Sequence, residues 1–233
     1  RKVKRIFWTI ADQRNLEYFV KLQNSFKKFC PKEELRLFDD LAIQQTHDSN
    51  IFYRATPYFT KKLMEEGYNE VCKLDADQVI LGSLEDIWNG NFDVAVVRND
   101  PSWPISVWDI THPSYYNNGL VVLKSKEFVD HWLKLCYSSH FNNYQYREQD
   151  FLTLLCSDYF NYKVKVLDTP EKLYGEVAKP HWTKTTIKNN KVMIDQAQLY
   201  IYHAGGGNIP NKMNYKIKFQ PEVVKFLDRL VKP

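Results

Sequence analysis

Apolar residues in this chain come in short blocks separated by polar turns, and their spacing alternates between two periods. Residues 3–10 form a brief β-type run that stops at Ala11-Asp12. Over 17–29 the apolar positions Tyr18, Phe19, Leu22, Phe26 and Phe29 recur at helical spacing, and Pro31 closes the segment. A second strand is expected over 35–38 and a helix over 58–66, ended by Gly67. Residues 71–74 read as a buried strand running into Asp75, and 92–97 as another. After Gly119 come a strand (120–123), two helices (126–137 and 149–160) and a strand (163–167). A last apolar strand, 199–202, leads into His203. Strands alternating with covering helices predict an α/β fold of three layers on a mostly parallel central sheet, with 1–233 as a single domain.

Length and composition agree with that picture. A chain of 233 residues buries roughly three quarters of its unfolded surface, so no disulfide or structural metal is needed to hold the core. No apolar stretch approaches the ~20 residues of a membrane span and no signal-peptide pattern opens the chain, so no transmembrane segment is expected. Peripheral membrane contact stays open. The net charge of +4 is spread along the chain, which excludes a nucleic-acid footprint, and the basic residues Arg1, Lys2, Lys4 and Arg5 read as a solvated end. Cys30, Cys72, Cys136 and Cys156 are far apart and lack metal-ligand spacing. Three of them sit among apolar neighbours, so buried free thiols and a cytoplasmic location are expected. The 15% aromatic content suits a sugar or nucleotide site and suits an aromatic-rich core equally.

Open α/β sheets bind ligands beyond the carboxyl ends of their strands. Three polar groups stand there: Thr9-Ile10-Ala11-Asp12, Asp75-Ala76-Asp77 and His203. On extended chain Asp75 and Asp77 point to one side, where they can share a hard cation such as Mg²⁺ or Mn²⁺ together with phosphate oxygens. The plainer reading is a polar turn, although carboxylates beside a buried strand are costly without a cation or donors. His203 precedes Gly205-Gly206-Gly207, which reads as a metal ligand beside a diphosphate-binding backbone or as a core histidine beside a loop. Asn117 and Asn118 before Gly119 suit sugar hydroxyls, and suit a turn. Glu148, Gln149 and Asp150 open an apolar helix, where acidic residues commonly cap.

Taken in order, Thr-Ile-Ala-Asp, an Arg, Leu-Asp-Ala-Asp, Tyr-Asn-Asn-Gly-Leu, Glu-Gln-Asp-Phe-Leu and a late His-x-x-Gly resemble the family 8 glycosyltransferases. This is the glycogenin and bacterial lipopolysaccharide galactosyltransferase group, with a GT-A, Rossmann-like fold, and the resemblance runs from about Ile6 to Pro210. It implies that Asp75, Asp77 and His203 hold Mn²⁺ or Mg²⁺, with Ala76 beside the donor. It implies that Thr9, Ile10, Ala11 and Asp12 grip uracil and ribose, and that Arg54 reaches the donor near its diphosphate. Asn117 and Asn118 match the donor-sugar segment, Gly206 the diphosphate loop, and Glu148, Gln149 and Asp150 the reacting face. Successive residues of a helix diverge by about 100°, so at most two of that triplet meet the sugar. Gln149 and Asp150 are expected to do so, with Glu148 holding hydroxyls or Arg147.

The chain also departs from the family pattern. The family's diphosphate-binding Lys is replaced by Ile209, with Lys212 three residues further on as a substitute, and Asn15 stands where an aromatic often stacks on uracil. The implied activity is metal-dependent transfer of a hexose from a UDP-sugar to a glycan or other hydroxyl acceptor, with retention at the anomeric carbon. The acceptor is expected over 101–112 and 179–186, which carry Trp103, Trp108 and Trp182. Two other readings stand beside it: a non-catalytic carbohydrate- or nucleotide-binding module, and a sugar nucleotidyltransferase. Against the latter, the loop Ala11-Asp12-Gln13-Arg14 lacks the glycine-rich basic signature such enzymes carry after the first strand.

Overall fold

In the computed structural model, which describes residues 3–99, 115–204 and 219–232, the first half of the chain lays down strands and helices in alternation. Strands β1 (Arg5–Ile10), β2 (Leu35–Phe38) and β3 (Glu70–Leu74) are separated by helices α1 (Leu16–Phe29), α2 (Asp40–Gln44) and α3 (Ala55–Glu65). Then follow β4 (Gln78–Ile80), β5 (Val94–Arg98), β6 (Tyr116–Leu123), helices α4 (Lys126–Cys136) and α5 (Glu148–Leu155), and β7 (Val164–Val166). Six of these strands form one sheet in the order β2-β1-β3-β6-β5-β7. Pairs β1/β2, β1/β3 and β5/β7 are parallel, and β6 runs antiparallel to both of its neighbours. The sheet is thus mostly parallel with one reversed strand, a common arrangement in α/β folds.

Strand β1 shows why the sheet is covered on both faces. Its residues Ile6, Phe7 and Trp8 are all fully buried. Phe7 meets Phe26 of α1 and Trp88 edge-on at 4.9 and 5.0 Å, whereas Trp8 turns the other way to Phe38 and Phe59. Truncating an aromatic in such a position costs about 3–5 kcal/mol. Helix α1 is also tied to β4, outside this sheet, by a polar contact, since the Ile80 N–H donates to the buried Ser25 hydroxyl at 3.0 Å.

The C-terminal third builds a second layer. Strands β8 (Lys172–Leu173), β9 (Thr185–Lys188), β10 (Lys191–Ile194) and β11 (Ala197–Leu199) form a sheet in the order β8-β11-β10-β9. Asn189 and Asn190, both at positive φ, make the two-residue β9–β10 turn, a geometry that Asn tolerates well. Helix α6 (Pro221–Val231) buries Val223, Phe226, Leu227 and Leu230. They join a cluster with Trp182, Val192, Leu199 and Tyr202. Strand β12 (Ile201–His203) then leaves this layer to pair antiparallel with β4.

Most expected elements fall within a few residues of their places. Two do not extend as far as predicted. The helix expected to reach 160 ends at Leu155, where the Ser157 hydroxyl donates to the Leu154 carbonyl. The strand expected over 199–202 breaks at Tyr200, whose N–H bonds Leu173 and whose carbonyl accepts from Leu81. All four cysteines are buried and unpaired. Among the described residues no helix is long and apolar enough to cross a membrane.

Candidate active site

The β4–β12 ladder assembles the centre of the site. It sets His203 opposite Gln78, and the Ala204 N–H donates to the Asp77 carbonyl at 3.2 Å. Asp75 and Asp77 lie not on extended chain, as expected, but on a turn from β3 to β4 closed by the Gln78 N–H on the Asp75 carbonyl. The turn still points both carboxylates to one side. His203 Nε2 is 3.2 Å from Asp75 Oδ2 and 3.2 Å from Asp77 Oδ1. One ligand atom from each of the three lies within 4.8 Å of the others. Two carboxylate oxygens and one imidazole nitrogen suit a divalent cation that accepts mixed oxygen and nitrogen ligands. The donor set therefore fits Mn²⁺ or Mg²⁺.

Neighbouring charges tune these groups. Burial alone would lower the His203 pKa, but Glu176, Asp77 and Asp75 outweigh it and raise it well above the usual value. Burial likewise opposes ionisation of Asp75, yet Lys73 and His203 hold its carboxyl well below the usual carboxylate range. Lys73, only 3% exposed, forms an ion pair with Asp75 and donates to the Asn118 carbonyl at 2.8 Å. Asn118 passes the connection on. Its side-chain amide donates to Glu148 Oε1 at 2.7 Å, and its N–H donates to Gln149 Oε1 at 3.2 Å.

A bulge in β6 makes this possible. The β5–β6 register shifts between Val96 and Val97, so that Val96 faces Val121 while Val97 faces Asn117. The extra residues on β6 re-aim the Asn pair, as bulges near sites commonly do. Asn-Asn-Gly is thus strand rather than turn. Gly119 sits against the metal-ligand candidates, with the Asp75 N–H donating to its carbonyl at 2.8 Å.

These side chains line a cavity of about 410 Å³ with Ile10, Asn15, Tyr53, Tyr146 and Lys179 also on its wall. That volume is in the range of small-ligand sites. Asp75, Ala76, Asp77, Asn117, Asn118, Glu148, Gln149 and His203 are brought together there. Other expected residues are not. Of the first-strand segment, Ile10 alone reaches the wall; Thr9 and Ala11 are buried, and the Asp12 carboxylate accepts from Asn15. Arg54 turns away: its guanidinium pairs with Asp48 at 2.9 Å, donates to the Cys136 carbonyl and lies over Phe141. The division within the triplet also changes. Asp150 accepts from the Tyr115 hydroxyl and the Tyr146 N–H, both at 2.7 Å, while Glu148 rather than Asp150 joins Gln149 on the wall. Arg147 is not held by Glu148 but stacks over Tyr53 at 3.9 Å. Trp182 is a core residue packed on Tyr202 and Phe219. Gly206, Lys212, Trp103, Trp108 and the 101–112 segment lie outside the described residues.

Sequence reasoning missed Lys73, Glu176 and Lys179. A lysine inside the apolar strand run, two residues before Asp75 and so on the same strand face, was the signal for the first. Lys179 stood only at the edge of the 179–186 segment expected to meet the acceptor, and nothing in the sequence marked Glu176.

Glu148 gives the site a pH signature. Burial pushes its carboxyl up to about 7, against the opposing pull of Lys73 and the Thr56 N–H and hydroxyl. A carboxyl with a higher pKa in the folded chain binds its proton more tightly there. It therefore costs nothing below the unfolded value of about 4.5, costs progressively more as pH rises to about 7, and costs a constant amount above that. Glu148→Gln should be stabilised relative to wild type at about pH 8, by up to roughly 3 kcal/mol more than at about pH 4. Melting curves of both proteins across that range test it, and a difference independent of pH would show a carboxylate that titrates normally.

No family model matches the sequence, and no curated protein matches it. Solved structures do match its shape. The galactosyltransferase LgtC, determined in complex with donor and acceptor sugar analogues, superposes with a TM-score of 0.62 at 15% identity, covering 97% of this chain and 96% of LgtC. The chain has the GT-A glycosyltransferase fold. A glycosyltransferase involved in glycosylating the major capsid of PBCV-1 shares the GT-A fold with a TM-score of 0.61 at 10% identity, over 88% of this chain and 95% of that one. WbbM, a bifunctional glycosyltransferase, matches with a TM-score of 0.61 at 15% identity; all of this chain covers 52% of it.

Proposed function

We propose that the protein is a metal-dependent glycosyltransferase that moves a hexose from a UDP-sugar to a hydroxyl of a glycan or similar acceptor, retaining the anomeric configuration. The observation that carries this reading is the Asp75–Asp77–His203 cluster on the wall of a cavity that also holds Glu148 and Gln149, in a GT-A fold. A cation held by those three residues would offset the charge that grows on the leaving diphosphate. Lys179 and Lys73 add fixed positive charge to the same wall, and on this reading they do part of the work of the family's missing lysine. On this reading Asn117 and Asn118 meet sugar hydroxyls with the hydrogen-bonding capacity left over, since the Asn117 amide already donates to Asn99 and accepts from the Gly119 N–H, and the Asn118 amide donates to Glu148. Gln149, whose Oε1 accepts from the Asn118 N–H on the cavity wall, is the residue this reading assigns to the reacting face. Glu148 shares the cavity wall with Gln149 and accepts a hydrogen bond from the Asn118 amide, which on this reading fixes that amide beside the donor sugar. Asp150 supports the face from behind through Tyr115 and Tyr146.

The test is a panel of UDP-hexoses and sugar acceptors with Mn²⁺ or Mg²⁺, followed by NMR of the new glycosidic bond. Metal-dependent release of UDP with a product of the donor's anomeric configuration supports the proposal. Binding of sugar without any turnover would favour a binding module, and release of pyrophosphate from UTP and a sugar phosphate would favour a nucleotidyltransferase.

A further inference from the structure

Glu176 belongs to none of the motifs that pointed to the site, yet it is among the most deeply buried acids in the described chain, with 1% exposure. An unpaired carboxylate there would be strongly destabilising. Its oxygens are in ion-pair contact with His203 Nδ1 and with Lys179 Nζ. The residue before it wraps the same histidine. Gly175 has φ +107°, and a Cβ there would lie 3.2 Å from His203 Cβ and 3.2 Å from the Ile201 carbonyl. Two consecutive residues of this loop are therefore shaped around one imidazole.

We infer that Glu176 is the positioning residue that makes His203 a metal ligand, an inference that rests on the metal-dependent reading above. An imidazole offers two nitrogens, and either can carry the proton. With Nδ1 held by Glu176, the proton stays on that nitrogen when the ring is neutral, and the lone pair stays on Nε2. Nε2 is the atom that faces Asp75 and Asp77. A carboxylate on the far nitrogen also makes the ring a stronger donor, and losing such a partner typically weakens metal binding about 10–100-fold. The gain falls on cations that use nitrogen ligands. Mn²⁺ accepts imidazole readily, whereas Mg²⁺ prefers oxygen. Glu176 thus tilts the site toward Mn²⁺.

Calorimetric titration of Mn²⁺ and Mg²⁺ into the wild-type chain, Glu176→Ala, Glu176→Gln, Lys179→Met and Asp77→Asn tests this without any assay of turnover. Glu176→Ala should bind Mn²⁺ about 10–100-fold more weakly and Mg²⁺ much less so, which narrows the ratio between them. Glu176→Gln keeps a neutral acceptor for Nδ1 and should recover part of the Mn²⁺ affinity. Lys179→Met removes a positive charge from the cavity wall and should strengthen both cations alike, so that the ratio between them stays at its wild-type value while the absolute affinities rise. Wild-type Mn²⁺ affinity in Glu176→Ala, alongside its loss in Asp77→Asn, would overturn the positioning role while keeping the metal site. Failure of the wild-type chain to bind either cation would overturn both. Should Glu176→Ala melt out because Lys179 is left without its partner, the double variant Glu176→Ala/Lys179→Met decides: an Mn²⁺ to Mg²⁺ ratio there equal to that of Lys179→Met removes Glu176 from the site.

Discussion

Asp77→Asn is expected to abolish metal-dependent binding of UDP, with a loss of about 100-fold or more in Mn²⁺ affinity, while the protein melts close to the wild-type temperature. The two halves of that expectation have separate causes. A ligand's charge acts on the cation directly, so its removal should cost at least as much as loss of an outer partner. The fold is spared because His203 keeps Asp75 and Glu176 as partners when the Asp77 charge is lost, and the Ala204 contact uses the Asp77 backbone carbonyl, which Asn keeps. Asp75→Asn would not be so clean. It would leave Lys73 buried without its counter-ion, and breaking a buried pair typically destabilises by about 3–5 kcal/mol. Titration of UDP with and without Mn²⁺, paired with thermal melts, checks both claims. Equal UDP affinity in wild type and Asp77→Asn with metal present would remove the cluster from function.

Much of this arrangement could be read before any coordinates. The alternation of strands and helices and the polar residues at strand ends follow from the apolar blocks, whereas the grouping of Asp75, Asp77 and His203 comes from the resemblance to family 8 glycosyltransferases. What escaped the sequence has physical reasons. Strands β8 to β11 are two to four residues long, too short for a period to emerge, and their ladder and their packing against the C-terminal helix stabilise them. Arg54 follows an aromatic pair that looks like a donor-binding segment, but the direction of its side chain was set by Asp48 and the Cys136 carbonyl, neither visible as a partner from sequence spacing. Glu176 acquires its role from a histidine that approaches it through β12, and no local pattern encodes that approach. Glu148 and Asp150 stand in one helical turn, and which of them turns to the cavity depends on Tyr115, Tyr146 and Thr56.

Gly119→Ala carries the second large effect. No special φ requires glycine there; the requirement is space. A Cβ at this position would lie 2.7 Å from Asn117 Oδ1 and 2.9 Å from Asp75 Oδ2, and closer still to His203 Cε1. Real Cβ atoms do not approach so closely, so a single methyl must push apart two metal-ligand candidates and a donor-sugar amide at once. Overpacking of this kind costs about 1–3 kcal/mol in stability. The effect on chemistry should be larger, since displacing reacting groups by about 1 Å can cost on the order of 100-fold in rate. The variant should therefore remain folded, lose most of its Mn²⁺ affinity and turn over at least about 100-fold more slowly. Wild-type Mn²⁺ binding in Gly119→Ala would mean that the cluster relaxes freely around the methyl and that its packing has no part in assembling the site.

The pairing of β12 with β4 also sets a schedule. More than half of the chain separates Asp75 from His203, so the imidazole reaches the carboxylates by closing a very long loop. On a ribosome adding roughly 5–20 residues per second, the two acids are made on the order of ten seconds before the histidine. A nascent chain thus carries an incomplete cation trap, with two carboxylates and no nitrogen ligand. On the metal-dependent reading, cation capture by the full triad is a late event of biosynthesis, and a chain stalled before β12 would lack it however well its first sheet had formed.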